Sequence, residues 1–79
     1  MIKKEFGLAV RYYREKLGIS QEELANRCGL HRTYISDIER GNRNVSLENI
    51  EAVSKGLNIT LVDLFSQISR QQKNNKNRN

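Results

Sequence analysis

Residues 20–44 read SQEELANRCGLHRTYISDIERGNRN, and this stretch decides the fold. Ser20 followed by Glu23 has the spacing of a capping box, so a helix is expected to start at Gln21 and to end at Gly29. His31 then heads a second helix that closes at Gly41. At 100° per residue, Gln21, Leu24, Ala25 and Cys28 share one face of the first helix, while Tyr34, Ile35 and Ile38 share one face of the second. The two faces suit each other. Ala25 is small enough for a close crossing, and Gly29 reaches the turn conformation that other residues adopt only with strain.

Working outward, Ile2, Phe6, Ala9, Val10, Tyr13 and Leu17 recur at three- and four-residue steps, which predicts a helix from Ile2 to Leu17 with one apolar face. Gly7 inside it costs about 1 kcal/mol relative to alanine, a sign of close backbone packing. On the other side, Ser46 caps a helix over Leu47 to Lys55 that is expected to bury Leu47, Ile50 and Val53, with Gly56 as its left-handed stop. Thr60 with Asp63 forms a second capping box. It starts a last helix carrying Leu61, Val62, Leu64, Phe65 and Ile68. The chain has no proline, so the expected fold is all-α: a compact five-helix domain over residues 1–69. Residues 70–79 hold only Asn, Gln, Lys and Arg and are expected to form a disordered, basic, polar tail.

Composition narrows the functional classes. A chain of 79 residues, 37% hydrophobic and 29% charged, supports one small core and no deep substrate cavity, which points to a binding module rather than an enzyme. The lone Cys28 excludes an internal disulfide, and with one histidine in the chain there is no set of metal ligands; no cofactor is expected. Cys28 reads as a small buried hydrophobe and His31 as a cap or polar surface residue. The apolar run Phe6 to Val10 is too short for a secretory leader or a bilayer span, so the expected setting is the reducing cytoplasm, away from membranes. The net charge is +5, but four of the fourteen cations (Arg70, Lys73, Lys76, Arg78) lie in the tail, leaving ten against nine acids before it. The informative feature is local. Arg27, Arg32, Arg40 and Arg43 face only Asp37 and Glu39 in residues 27–44, whereas residues 45–69 set Lys55 against Glu48, Glu51 and Asp63.

The face of the 32–40 helix turned away from the core presents Arg32, Thr33, Ser36, Asp37 and Arg40, with no large apolar group among them. These residue types suit a base edge: Arg pairs two donors with guanine, Thr offers a methyl to thymine, and Asp accepts from the cytosine amine. Arg32 and Thr33 stand at the helix N-terminus, the end that a helix-turn-helix inserts into the major groove. Ser20 and Gln21 head the preceding helix, where backbone N–H groups favour a phosphate. Arg43 and Asn44 follow Gly41 and suit the backbone on the other side.

The stretch from SQEELANRCGLHRTYISDIERGNRN to NITLVDLF resembles the lambda-repressor and Cro-type (Xre-like) helix-turn-helix family, over about Phe6 to Phe65. The phrases HRTYIS, IERG and RN are similar to the controller proteins of restriction–modification systems. By that resemblance Arg32, Thr33, Ser36 and Asp37 would face bases, with Gln21, Arg43 and Asn44 on phosphates; Ser20 and Arg40 complete the expected phosphate set. Arg14 and Glu39 would form a partly buried bridge that orients the reading helix. The resemblance implies a transcription regulator acting on double-stranded DNA, with RNA polymerase as a further candidate partner and no small-molecule ligand.

One helix-turn-helix unit reads few base pairs, so a homodimer on a palindromic operator is expected, joined through Leu61, Val62, Leu64, Phe65 and Ile68. The competing reading is an antitoxin or phage-type repressor governed by a protein partner. A catalytic role has no assembled site behind it.

Overall fold

A computed structural model describes residues 1–77, with side chains through residue 74. The caps define its helices: α1 (Ile2–Leu17), α2 (Gln21–Cys28), α3 (Arg32–Glu39), α4 (Leu47–Gly56) and α5 (Leu61–Asn77). Thr60 and Asp63 form both halves of a capping box: Thr60 Oγ1 accepts the Asp63 N–H at 3.0 Å, and Asp63 Oδ2 accepts the Thr60 N–H at 3.3 Å. At α2 only half of the box closes. Ser20 Oγ accepts the Glu23 N–H at 3.0 Å, while the Glu23 carboxylate turns to Arg27 Nε at 3.0 Å, an i,i+4 pair along the helix surface. Ser46 accepts the Asn49 N–H at 3.1 Å to start α4. Such caps are worth about 1 kcal/mol each. His31 heads α3 in an extended conformation with no side-chain bond to the helix.

The core collects Phe6, Ala9 and Val10 from α1, Leu24 and Ala25 from α2, Ile35 and Ile38 from α3, Val53 from α4, Leu57, and Leu64 and Ile68 from α5. Burying a leucine or isoleucine of this kind stabilises by about 1.5–3 kcal/mol. α1 packs on α3 and α5, and α2 on α3 and α4, so α3 is held from two sides. The close approach expected at Gly7 is present: a Cβ there would lie 2.2 Å from the Ile38 carbonyl oxygen.

Four sequence expectations need correction. Gly56 is not a left-handed stop but the last residue of α4, and the left-handed position is Asn58, φ 59°. Gly56 is small for another reason: a Cβ would lie 2.5 Å from Cys28 Sγ, where α4 crosses α2. Leu47 is 80% exposed, because it opens α4 a turn before Ile50, the first α4 residue packed against the core. Leu64 and Ile68, assigned by pattern to an interface, lie inside the protomer's own core. Lastly, α5 does not stop at the expected boundary of 69 but runs to Asn77. Gln, Lys and Arg favour helix, and extending an existing helix carries no nucleation penalty. Lys76 and Arg78 side chains, with the rest of residues 78–79, fall outside the described residues.

Candidate nucleic-acid interface

The placement of α3 depends on a buried bridge. Arg14 Nε donates to Glu39 Oε2 at 2.6 Å and Nη2 to Oε1 at 3.0 Å, while Nη1 donates to the Ile19 carbonyl at 2.9 Å. Gln21 Nε2 adds a third donor to Glu39, at 3.1 Å from Oε1. The hydrogen bond to Glu39 holds the Arg14 guanidinium above its ordinary pKa, although burial works the other way. One carboxylate thus ties α1 and the start of α2 to the end of α3. Spacing placed Gln21 on the inward face of α2, and its amide serves this bridge; what α2 offers outward is its N-terminal backbone.

With Ile35 and Ile38 facing the core, α3 leaves Arg32 and Thr33 exposed at its N-terminal end and Ser36 and Asp37 half-buried one turn later. Arg40 Nη1 donates to Ser36 Oγ at 2.6 Å, and Arg40 Nη2 pairs with Asp37 Oδ1. Arg43, from the exposed loop beyond Gly41, brings Nε and Nη2 to 3.3 Å from Asp37 Oδ2. Its guanidinium carbon also lies 5.0 Å from the centre of the Tyr34 ring, a cation–π distance. Tyr34 is held in turn, its hydroxyl accepting from Asn49 Nδ2 of α4 at 3.1 Å. Gly29, Leu30, His31, Thr33, Tyr34, Arg43 and Asn49 line an open cleft beside the head of α3. Asn44 stands exposed next to Arg43.

The structure therefore brings Ser36, Asp37, Arg40 and Arg43 together, with Thr33 beside Arg43 along the cleft, and it gives Asp37 two arginine partners. The sequence reading gives Asp37 to a base and Arg40 to a phosphate and misses their pairing, which their i,i+3 spacing allows. The Tyr34–Arg43 stack and the Asn49 support are not legible there, because they depend on the path of an irregular loop. The Cys28 thiol, half-buried against α4, is pushed up to about 11 by burial and stays protonated at neutral pH. Among the described residues no cluster of His, Cys, Asp and Glu could hold a metal, and no helix is long and apolar enough to cross a membrane.

On α5 the exposed apolar residues are Leu61 at 40%, Val62 at 75% and Phe65 at 46%. They form a shallow patch with Ser66 and Ser69.

Comparison with known proteins agrees with this geometry. The family described as helix-turn-helix matches residues 10–64. The control protein C.BamHI of Bacillus amyloliquefaciens is 61% identical over 61 residues, spanning 76% of this chain and 75% of that protein. The control protein C.MunI of a Mycoplasma species is 51% identical over 71 residues, spanning 89% of this chain and 96% of that one. Among solved structures, the restriction–modification controller protein C.Esp1396I, a tetramer in complex with its natural 35 base-pair operator, superposes with a TM-score of 0.85 at 32% identity, over 90% of this chain and 93% of that one. The chain belongs to the helix-turn-helix family of DNA-binding transcription regulators, among the restriction–modification control proteins, and is not an enzyme.

Proposed function

We propose that this chain governs a restriction–modification operon by binding a palindromic operator as a homodimer in the cytoplasm. The observation that carries the reading is the two-sidedness of α3: Ile35 and Ile38 are closed into the core while Arg32 and Thr33 are open at its leading end. The operator complex of C.Esp1396I supports the same use of the fold here. Arg32, Thr33 and Ser36 read base edges, and the α2 N-terminus at Ser20 and Gln21 together with Arg40, Arg43 and Asn44 holds phosphates. RNA polymerase is the proposed second partner, since the controlled event is transcription. Residues 1–69 suffice for reading, and the basic end of α5 adds at most a nonspecific attraction.

The two exposed arginines separate specificity from affinity. Arg32→Ala is expected to cost about 1–3 kcal/mol on the operator and to relax preference at one base pair per half-site. Arg43→Ala should weaken all sequences about equally and lower the salt slope by about 1 per protomer. Titration against operator, single-base variants and random DNA at several salt concentrations decides it; the reverse pattern would show that the two roles are interchanged.

The dimer follows from Leu61, Val62 and Phe65, which α5 exposes while Leu64 and Ile68 hold the core. Phe65→Asp is expected to shift sedimentation to the monomer at micromolar concentration and to weaken operator binding, with little loss of helix content. Half-sites about 34–36 Å apart are the geometric corollary. A wild type that sediments as a monomer both alone and on DNA would sink this arrangement.

A further inference from the structure

Asp37 sits in the middle of the outward face of α3, where a carboxylate is an awkward neighbour for DNA. Its side chain is 20% exposed, whereas those of Arg40 and Arg43 are 58% and 48% exposed. Each carboxylate oxygen already has a guanidinium: Arg40 on Oδ1 and Arg43 on Oδ2. An approaching base edge or phosphate therefore meets the two arginines first. Both arginines are held from a second side, Arg40 by Ser36 Oγ and Arg43 by the Tyr34 ring, which Asn49 anchors to α4.

We propose that Asp37 is a positioning residue, not a base reader: it holds Arg40 and Arg43 as a preassembled phosphate clamp, and its charge restrains their attraction to DNA of the wrong sequence. The inference rests on the reading that α3 enters the major groove. Two arginines on one carboxylate present a net charge of +1, and without that carboxylate they present +2 on long, unrestrained side chains. Phosphates attract such a pair on any sequence, since the electrostatic part of binding carries no sequence information. With Asp37 in place the guanidiniums are fixed relative to the α3 axis, so they engage phosphates together only when the helix is seated in register.

The test is Asp37→Asn, which keeps shape and removes charge. The probes are a duplex carrying the site that the wild type selects from a random-sequence pool, and a random-sequence duplex of equal length. Binding of the variant to random duplex should tighten about three- to tenfold at 0.1 M salt, with a salt slope steeper by about 0.9 per protomer. Discrimination between the two duplexes should fall, and a repeated selection should return the same preferred bases. Asp37→Glu, which retains the charge, should keep the wild-type slope. In an Arg40→Ala/Arg43→Ala background, where no clamp is left to hold, Asp37→Asn should leave discrimination between the two duplexes unchanged. A changed preference at one base pair with unaltered slope and random-duplex affinity would make Asp37 a base reader and overturn the proposal, as would a loss of discrimination that survives without the arginines. A wild type that selects no sequence at all would overturn the DNA-reading role itself and this inference with it.

Discussion

Glu39→Ala is expected to lower the free energy of unfolding by about 3–5 kcal/mol, because it strips a largely buried Arg14 of its counter-charge. The Glu39 side chain is 5% exposed and that of Arg14 14%, and the carboxylate takes three donors from two other helices. A small domain with a total stability of about 5–15 kcal/mol loses much of it by such a change. The same physics makes the pair itself a weak contributor compared with apolar packing, since both ions had to leave water. Arg14→Met with Glu39→Leu should therefore recover most of the loss. That double variant should nevertheless bind DNA less well, because α3 is no longer pinned to α1 by directional bonds. Urea unfolding with an unchanged m value, beside DNA titration, separates the two effects; a Glu39→Ala loss below 1 kcal/mol would show that water reaches the bridge.

Gly7→Ala is the other large effect. The added methyl would stand 2.2 Å from the Ile38 carbonyl oxygen and 2.8 Å from that of Glu39, both of them backbone atoms with no rotamer to change. Relief requires α1 and α3 to separate. Overpacking of this kind costs about 1–3 kcal/mol and occasionally more, while the gain in helix propensity returns only about 1 kcal/mol. The distinguishing sign is in binding: a displaced α3 should weaken operator binding even where the variant remains folded. Gly18→Ala is the control. It has φ 71° but nothing within 4 Å of the added Cβ, so it should cost only the left-handed penalty of about 1–2 kcal/mol and leave binding intact. Equal losses of binding in the two variants would refute the steric account.

Capping residues and periodicity made the starts of α2, α4 and α5 and both ends of α1 legible in the sequence. Gly7 was legible too, because a poor helix former inside a strong pattern needs a reason. What stayed hidden shares one physical cause: amphipathic spacing names a face but not what covers it. Leu61, Leu64, Phe65 and Ile68 read as one stripe, yet only contact with α1 and the core assigns Leu64 and Ile68 to the protomer and leaves the others outside. Leu47 has core-like spacing and lies beyond the layer's edge. Gly56 is taken up by the tight crossing with Cys28, which no local pattern shows, and the left-handed turn falls instead to Asn58. At the interface, residue types gave the basic surface, while the pairing of Asp37 with Arg43 awaited the path of the 41–46 loop.

The division of α3 between Ile35 and Ile38 inside and Arg32 and Thr33 outside also bears on how such a regulator changes over generations. Exposed positions without core partners usually accept substitution within about 0.5 kcal/mol. On the proposed reading, mutations at Arg32 and Thr33 would rewrite which operator is read while the scaffold keeps its stability. The pace at which specificity diverges is then governed by how readily operator and helix change together, and not by any tolerance limit of the fold.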